Sequence, residues 1–526
     1  MCRMARTNKK CNYNKVLLSL VLGIQIFIYL LLIVNCKEVT NDGIFTYSLS
    51  NNPYECLFTG AHLKEFKNEN GWIRGSDIKS TYVVNEENRF NYDIPYYHQL
   101  SDVHPFLYNM FVHTLSSFFI GSASLSIALS INFLFVLFID FVLYKISLNY
   151  NIDFVGMVLF SVLQIWMLNE MIYPRSYVML MYTTLLYLYL NMRLISKVKW
   201  DRRDLIYMFF SILIGELTHY YFYIFATGVS LIMLCIMVKR KENYKVLNYV
   251  LVGLFSFFIG LIIYPWTLKH IIFNPQGKHS ELYQWNMRSL KEGIAFYSRN
   301  IYNNNLWIYI VALVFLIIVA KKMEKDLEQS RTDTQLDNSI LCLIIGAIAF
   351  YTLIVGTLEG FSTKYMPPII LPMLIINVYF ISKYVSSIIQ GSELLKSIVV
   401  IIIIAIVLNP FTLIKNIKER LEYEKNYEQF HDIAEKYSKN DCIYIANGES
   451  TTINNMYFEI GEYCEVKPVW VSDLEREGLN KNILYGRSCK GGPIIVYAPE
   501  DNLIQDECLK KLSTHLGYSI YIWEYK

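Results

Sequence analysis

The chain has 526 residues, 54% of them hydrophobic, 15% aromatic and only 18% charged, with a net charge of +3. Ordinary globular chains run roughly 45–50% apolar and 25% charged, so this composition excludes disorder, a coiled coil and a purely soluble enzyme. The charge is too small to argue for nucleic-acid binding. A polytopic α-helical membrane protein remains.

A helix crossing ~30 Å of hydrocarbon needs roughly 20 mostly apolar residues. In chain order the stretches that qualify are 16–35, 123–146, 153–171, 176–195, 204–218, 220–238, 247–264, 306–320, 340–357, 365–384 and 395–413, about eleven spans. The first has a basic start like a signal peptide but lacks a convincing small-residue cleavage site, and it reads as a retained anchor.

Lys and Arg in short loops mark the cytoplasmic side. Arg3, Arg6, Lys9, Lys10 and Lys15 place residues 1–15 inside, and the loops that follow from eleven spans bring the inner total to 21, against 7 outside. Residues 105–121 (PFLYNMFVHTLSSFFIG) would invert that bias if they crossed, so they read as a helix lying in or dipping into the outer interface.

The transmembrane region is thus 16–413. It carries two long outer loops, 36–122 and 265–305, the second holding Lys269, Lys278 and Arg288. Loops of that length are usually functional. From 414 to 526 a charged helical stretch leads into short apolar runs at 442–446, 467–471, 493–498 and 519–525, with a helix-like 502–516 before the last. Strands alternating with helices predict a small extracytoplasmic α/β domain. Six of the ten cysteines (Cys36, Cys56, Cys442, Cys464, Cys489 and Cys508) fall on the outer side, where disulfides are permitted.

Ionisable groups at membrane depth are costly and mark function. Here they gather at one level: Asp42, Asp102, His104, Glu170, Arg175, Glu216, His219, Glu359 and Lys364 all lie at the outer ends of spans. The middles are nearly empty of charge, Asp140 excepted. An ion-coupled transporter more often places charge at the midplane, so a site at the outer leaflet fits better.

Five segments, NDGIFTYSLSN (41–51), SDVHPFLYNMFVHTLSSFFIG (101–121), YPRSYVMLMYTTLLYLYLNMRLI (173–195), THYYFYIF (218–225) and STKYMPPIILP (362–372), resemble in this order the polyprenyl-phosphate-sugar-dependent membrane glycosyltransferases of the GT-C superfamily. The family 39-like and RgtA/B/C/D-like branches are the most similar, over roughly residues 16–385. Asp42-Gly43 stands where that family commonly has Asp-Glu, His104-Pro105-Phe106 where it has His-Pro-Pro, and Lys364 where it often has Arg.

The resemblance implies transfer of a monosaccharide from a polyprenyl-phosphate carrier to a glycan, lipid or protein acceptor of the cell envelope at the outer face. Asp42 is the expected general base, a single displacement inverts the anomeric centre, and Asp102 and His104 orient the base, the acceptor or a divalent cation. Arg175, suited to bidentate phosphate contacts, joins Lys364, Tyr177, His219 and Tyr365 as the expected donor-phosphate residues. The rivals are a lipid-linked-glycan flippase or transporter, and a non-catalytic envelope scaffold or sensor.

Overall fold

The computed structural model describes residues 2–38, 41–54, 70–100, 102, 104–272, 338–357, 365–389, 391–446, 457–471, 481–484, 492–499, 508–515 and 518–524. Helix α1 (Cys2–Asn35) is followed by α2 (Asn41–Asn51), the two-residue strand β1 (Ile73–Arg74), α3 (Gly75–Ser80), α4 (Asp93–His98) and α5 (Leu107–Ser116). Helices α6 (Leu125–Tyr150), α7 (Phe154–Leu163), α8 (Ile165–Met171), α9 (Tyr177–Ser196), α10 (Arg202–Glu216), α11 (Tyr221–Lys239), α12 (Asn243–Ile263) and α13 (Trp266–Ile272) come next. After them lie α14 (Asn338–Thr357), α15 (Pro367–Ile388), α16 (Glu393–Leu408) and α17 (Pro410–Lys436). The tail holds β2 (Cys442–Ala446), α18 (Tyr457–Ile460), β3 (Glu465–Trp470), β4 (Ile494–Pro499), β5 (Leu509–His515) and β6 (Tyr518–Trp523).

Among the described residues seven helices are long and apolar enough to cross a membrane, or up to nine if each of two bent pairs is one span. The pairs are α7–α8, bent by 69°, and α16–α17, bent by 55°. The first bend falls at Gln164, whose backbone is extended (φ −79°, ψ 111°). The second falls at Asn409 (φ 46°), with Pro410 opening the next helix, a position where a missing N–H costs nothing. Of the remaining expected spans, 204–218 is α10, fifteen residues long, and 306–320 lies outside the described residues. Helix α5 has ten residues, about 15 Å, too short to cross.

Among the described spans helix α9 is the most enclosed, 78% of it buried, and packs against α6, α10, α11 and α15. Apolar side chains all round its axis require that central place. Helix α12, only 17% buried, presents Leu251, Leu254, Phe255, Phe258 and Ile262 outward, as a lipid-facing helix must.

The tail folds into a six-stranded sheet of order β1-β3-β2-β4-β6-β5. Strands β3, β2 and β4 are parallel, while β1 on one edge and β6 and β5 on the other run antiparallel. Its edge strand β1 comes from the first loop, with Ile73 opposite Val466 and Arg74 opposite Glu465. Gly75 donates to the Cys464 carbonyl at 3.1 Å, and a Cβ there would overlap the Tyr463 carbonyl, so only glycine lets the two backbones meet. The helix-like reading of 502–516 is corrected over its second half: 509–515 is strand β5, paired with β6 from Leu509–Trp523 to His515–Tyr518. Lys510 and Lys511 suit a solvent-facing edge, and the apolar β6 beside them overrides local propensity.

Candidate active site

Asp42 lies in the first turn of α2, where the helix dipole favours a carboxylate. It faces the turn Tyr173-Pro174-Arg175-Ser176 between α8 and α9. Pro174 cannot continue a helix, and it biases Tyr173 away from helical backbone, so the chain reverses there. The Arg175 amide closes the turn on the Tyr173 carbonyl at 2.7 Å. Thr46 ties the two elements together, its hydroxyl lying 2.8 Å from the Pro174 carbonyl and 3.0 Å from that of Asp42.

Two side chains of this turn meet Asp42. The Tyr173 hydroxyl donates to Oδ2, and the Arg175 guanidinium lies 3.6 Å from Oδ1. Burial first, then the hydrogen bond and charge of Asp42, push the Tyr173 phenol upward, so it stays protonated as a donor. Burial alone would lower Arg175, but Asp102 first and Asp42 second raise it, and the guanidinium remains charged between two carboxylates. A separation of 3.6 Å is an ion pair beyond hydrogen-bond range, which leaves guanidinium donors for an anion.

Asp102 and His104 pair with each other, Oδ2 to Nδ1 at 3.1 Å, which leaves Nε2 of a neutral His104 as the acceptor. From His104 a chain of rings runs back toward Asp42. His104 meets His219 edge-on at 4.8 Å, His219 meets Tyr177 at 5.6 Å, and Tyr177 stacks with Tyr173 at 6.0 Å. On its other side His219 stacks on Tyr221 at 5.1 Å, and Tyr221 reaches Tyr365 at 4.7 Å. The Tyr221 amide donates to His219 Nδ1 at 3.1 Å, so a neutral His219 carries its proton on Nε2.

Asp42, Asp102, His104, Arg175, Tyr177, His219 and Tyr365 therefore form one continuous cluster. Lys364 and Glu359 lie outside the described residues. Glu170 is buried behind Tyr173, and its Oε2 has no hydrogen-bond partner among the described residues. Glu216 packs instead against α12, at the spot a Cβ on Gly260 would take. Pro105 precedes α5 by two residues rather than opening its first turn. Among the described residues no three of His, Cys, Asp and Glu come together as ligands for a metal ion.

Sequence reading missed three contributors. Tyr173 sits beside Pro174-Arg175, and that adjacency was the available signal. Tyr221 looked like one more interfacial aromatic. His270, on α13, pairs through Nδ1 with the Tyr220 hydroxyl at 2.6 Å, and nothing local announced it.

The helical bundle and its tail sheet share their overall fold with solved structures. Seven solved chains match it. One is ArnT from Cupriavidus metallidurans bound to undecaprenyl phosphate, with 8% identity, 96% of this chain and 97% of that chain covered, and a TM-score of 0.51. The apo state of the same protein gives 8%, the same coverage and 0.47. At such identity the likeness is one of fold. No family model and no curated protein matches the sequence.

Proposed function

We propose that this protein is a membrane glycosyltransferase that moves one sugar from a polyprenyl-phosphate carrier to an acceptor at the outer face of the membrane. The observation that carries this reading is Asp42 held between Tyr173 and Arg175, with Asp102 acting on the same guanidinium, in a GT-C-like fold. The ArnT structure solved with undecaprenyl phosphate supports the donor class.

Asp42 is the general base. It keeps lone pairs free beyond those used by Tyr173 and Arg175, and one of them takes the proton of the acceptor hydroxyl. The acceptor oxygen bonds to the anomeric carbon as the bond from that carbon to the phosphate oxygen breaks, and its electron pair leaves with the phosphate. Charge grows on that phosphate in the transition state, and a preorganised cation stabilises it; Arg175 supplies one, and Lys364 is proposed as a second. One displacement with one base inverts the anomeric configuration. Asp102 and His104 orient the acceptor beside Asp42, while Tyr177, His219 and Tyr365 wall the donor phosphate and sugar.

The orientation follows from the loop charges: residues 1–15 inside, 414–526 outside. The test is transfer by the purified protein in lipid vesicles containing an undecaprenyl-phosphate sugar, with the product's anomeric configuration read by NMR. Transfer with inversion that Asp42→Asn abolishes is the expected result. Substrate movement across the vesicle without bond cleavage would instead support a flippase.

A further inference from the structure

We infer that α17, the helix leading into the tail sheet, positions Asp42, and that Glu424 and Arg420 are its positioning residues. This rests on the functional reading above and assigns a task to the tail.

The chain leaves α1 at Asn35 and reaches Asp42 seven residues later. Within that short link the amides of Lys37 and Glu38 both donate to Glu424 Oε2, at 2.8 and 3.0 Å. Arg420 spans the same two carboxylates, 2.5 Å from Glu424 and 3.4 Å from Glu38. The Tyr423 hydroxyl donates to Glu38 Oε1 at 2.7 Å, and Lys37 pairs with Glu428. Four residues on three successive turns of α17 thus grip two residues. Glu38 and Glu424 are both buried, where charge-assisted bonds are strong and hard to replace. Burial raises the Glu38 carboxyl, and Tyr423 and Arg420 oppose that shift by favouring its charged form.

A second contact reaches the other side of α2. Phe458, on α18, meets Tyr47 edge-on at 5.8 Å and Tyr82 at 4.3 Å. The helix that carries Asp42 in its first turn is therefore fixed from its entry by α17 and along its length by α18. Among the described residues, the Tyr173–Arg175 turn on the bundle is what touches the carboxylate itself. A general base misplaced by about 1 Å costs on the order of 10²-fold in rate, so a strut on the entry segment acts on turnover rather than on donor binding.

The experiment uses the full-length protein in vesicles with the lipid-phosphate sugar donor. Glu424→Ala should lower kcat about 10- to 100-fold while donor KM stays within about twofold. Glu424→Gln, which keeps an oxygen facing the two amides, should recover most of that loss. Tyr423→Phe, which deletes one hydroxyl, should lower kcat about threefold and serves if Glu424→Ala does not fold. Folded variants with wild-type kcat, or a loss that lies wholly in KM, would overturn the inference. Amide hydrogen exchange gives a readout independent of transfer. Glu424→Ala should speed exchange across 41–46, and unchanged exchange there refutes the strut. Wild-type protein inert with every polyprenyl-phosphate donor refutes the functional reading, and exchange still decides the strut.

Discussion

The two ends of the bundle both bury charge, but they handle it differently. At the end away from the site, Lys197 lies 2.7 Å from each oxygen of Asp204, and Arg193 adds a contact at 3.3 Å. Asp204 also closes a reciprocal cap with Asp201 at 3.0 Å in both directions, and Lys245 reaches the Lys197 carbonyl at 2.9 Å. Both carboxylate oxygens of Asp204 are engaged. At the site end Asp42 and Arg175 stand 3.6 Å apart, and Glu170 keeps an oxygen with no partner among the described residues. A saturated network fastens helices; an under-coordinated one keeps valence for a ligand.

Substitutions can break that contrast. The largest expected effect is Asp42→Asn, which should cut transfer about 10³-fold with unchanged folding, measured as single-turnover sugar release. Arg175→Ala should cost about 10²-fold in use of the lipid-phosphate donor, with Arg175→Lys recovering only part because the planar fork is lost. Wild-type donor kinetics in Arg175→Ala would remove it from the phosphate site.

The opposite end should show the reverse pattern. Asp204→Asn strands Lys197 and Arg193 and should destabilise the fold by roughly 3 kcal/mol, seen as a lower Tm, while kcat stays at the wild-type level. A catalytic defect without a stability loss would erase the distinction between the two ends.

The smallest effect concerns pH. Burial first, then Lys269 and His104, hold His270 below the ordinary histidine value of 6.5, against the Leu100 carbonyl and Asp102. A depressed histidine stabilises the fold above 6.5, and that contribution fades as pH falls toward its native pKa, because unfolding then takes up a proton. The Tm should drop by a few degrees below pH 6.5, and His270→Gln should flatten part of the slope. An identical slope in that variant would assign the dependence to other groups, His113 among them, which burial also lowers.

Much of this molecule was legible residue by residue. Twenty apolar residues in a row need no partner to declare a span, and a carboxylate or guanidinium just beyond such a run announces its own cost. That is why Asp42, Asp102, His104, Arg175 and His219 stood out before any coordinates. Tyr173, Tyr221 and His270 did not, since a phenol or imidazole near an interface is ordinary and only its neighbours make it special.

Sequence by itself determined the membrane class, the placement of the long helices and the level at which polar groups collect, because hydrophobicity and its period are local properties. Tertiary structure alone decided that 509–515 pairs as a strand, that Ile73 closes the sheet's edge, and that Glu424 holds the amide of Lys37 from 387 positions away. Each of those depends on a partner brought from afar, and a linear pattern carries no record of which distant surface will satisfy a backbone donor.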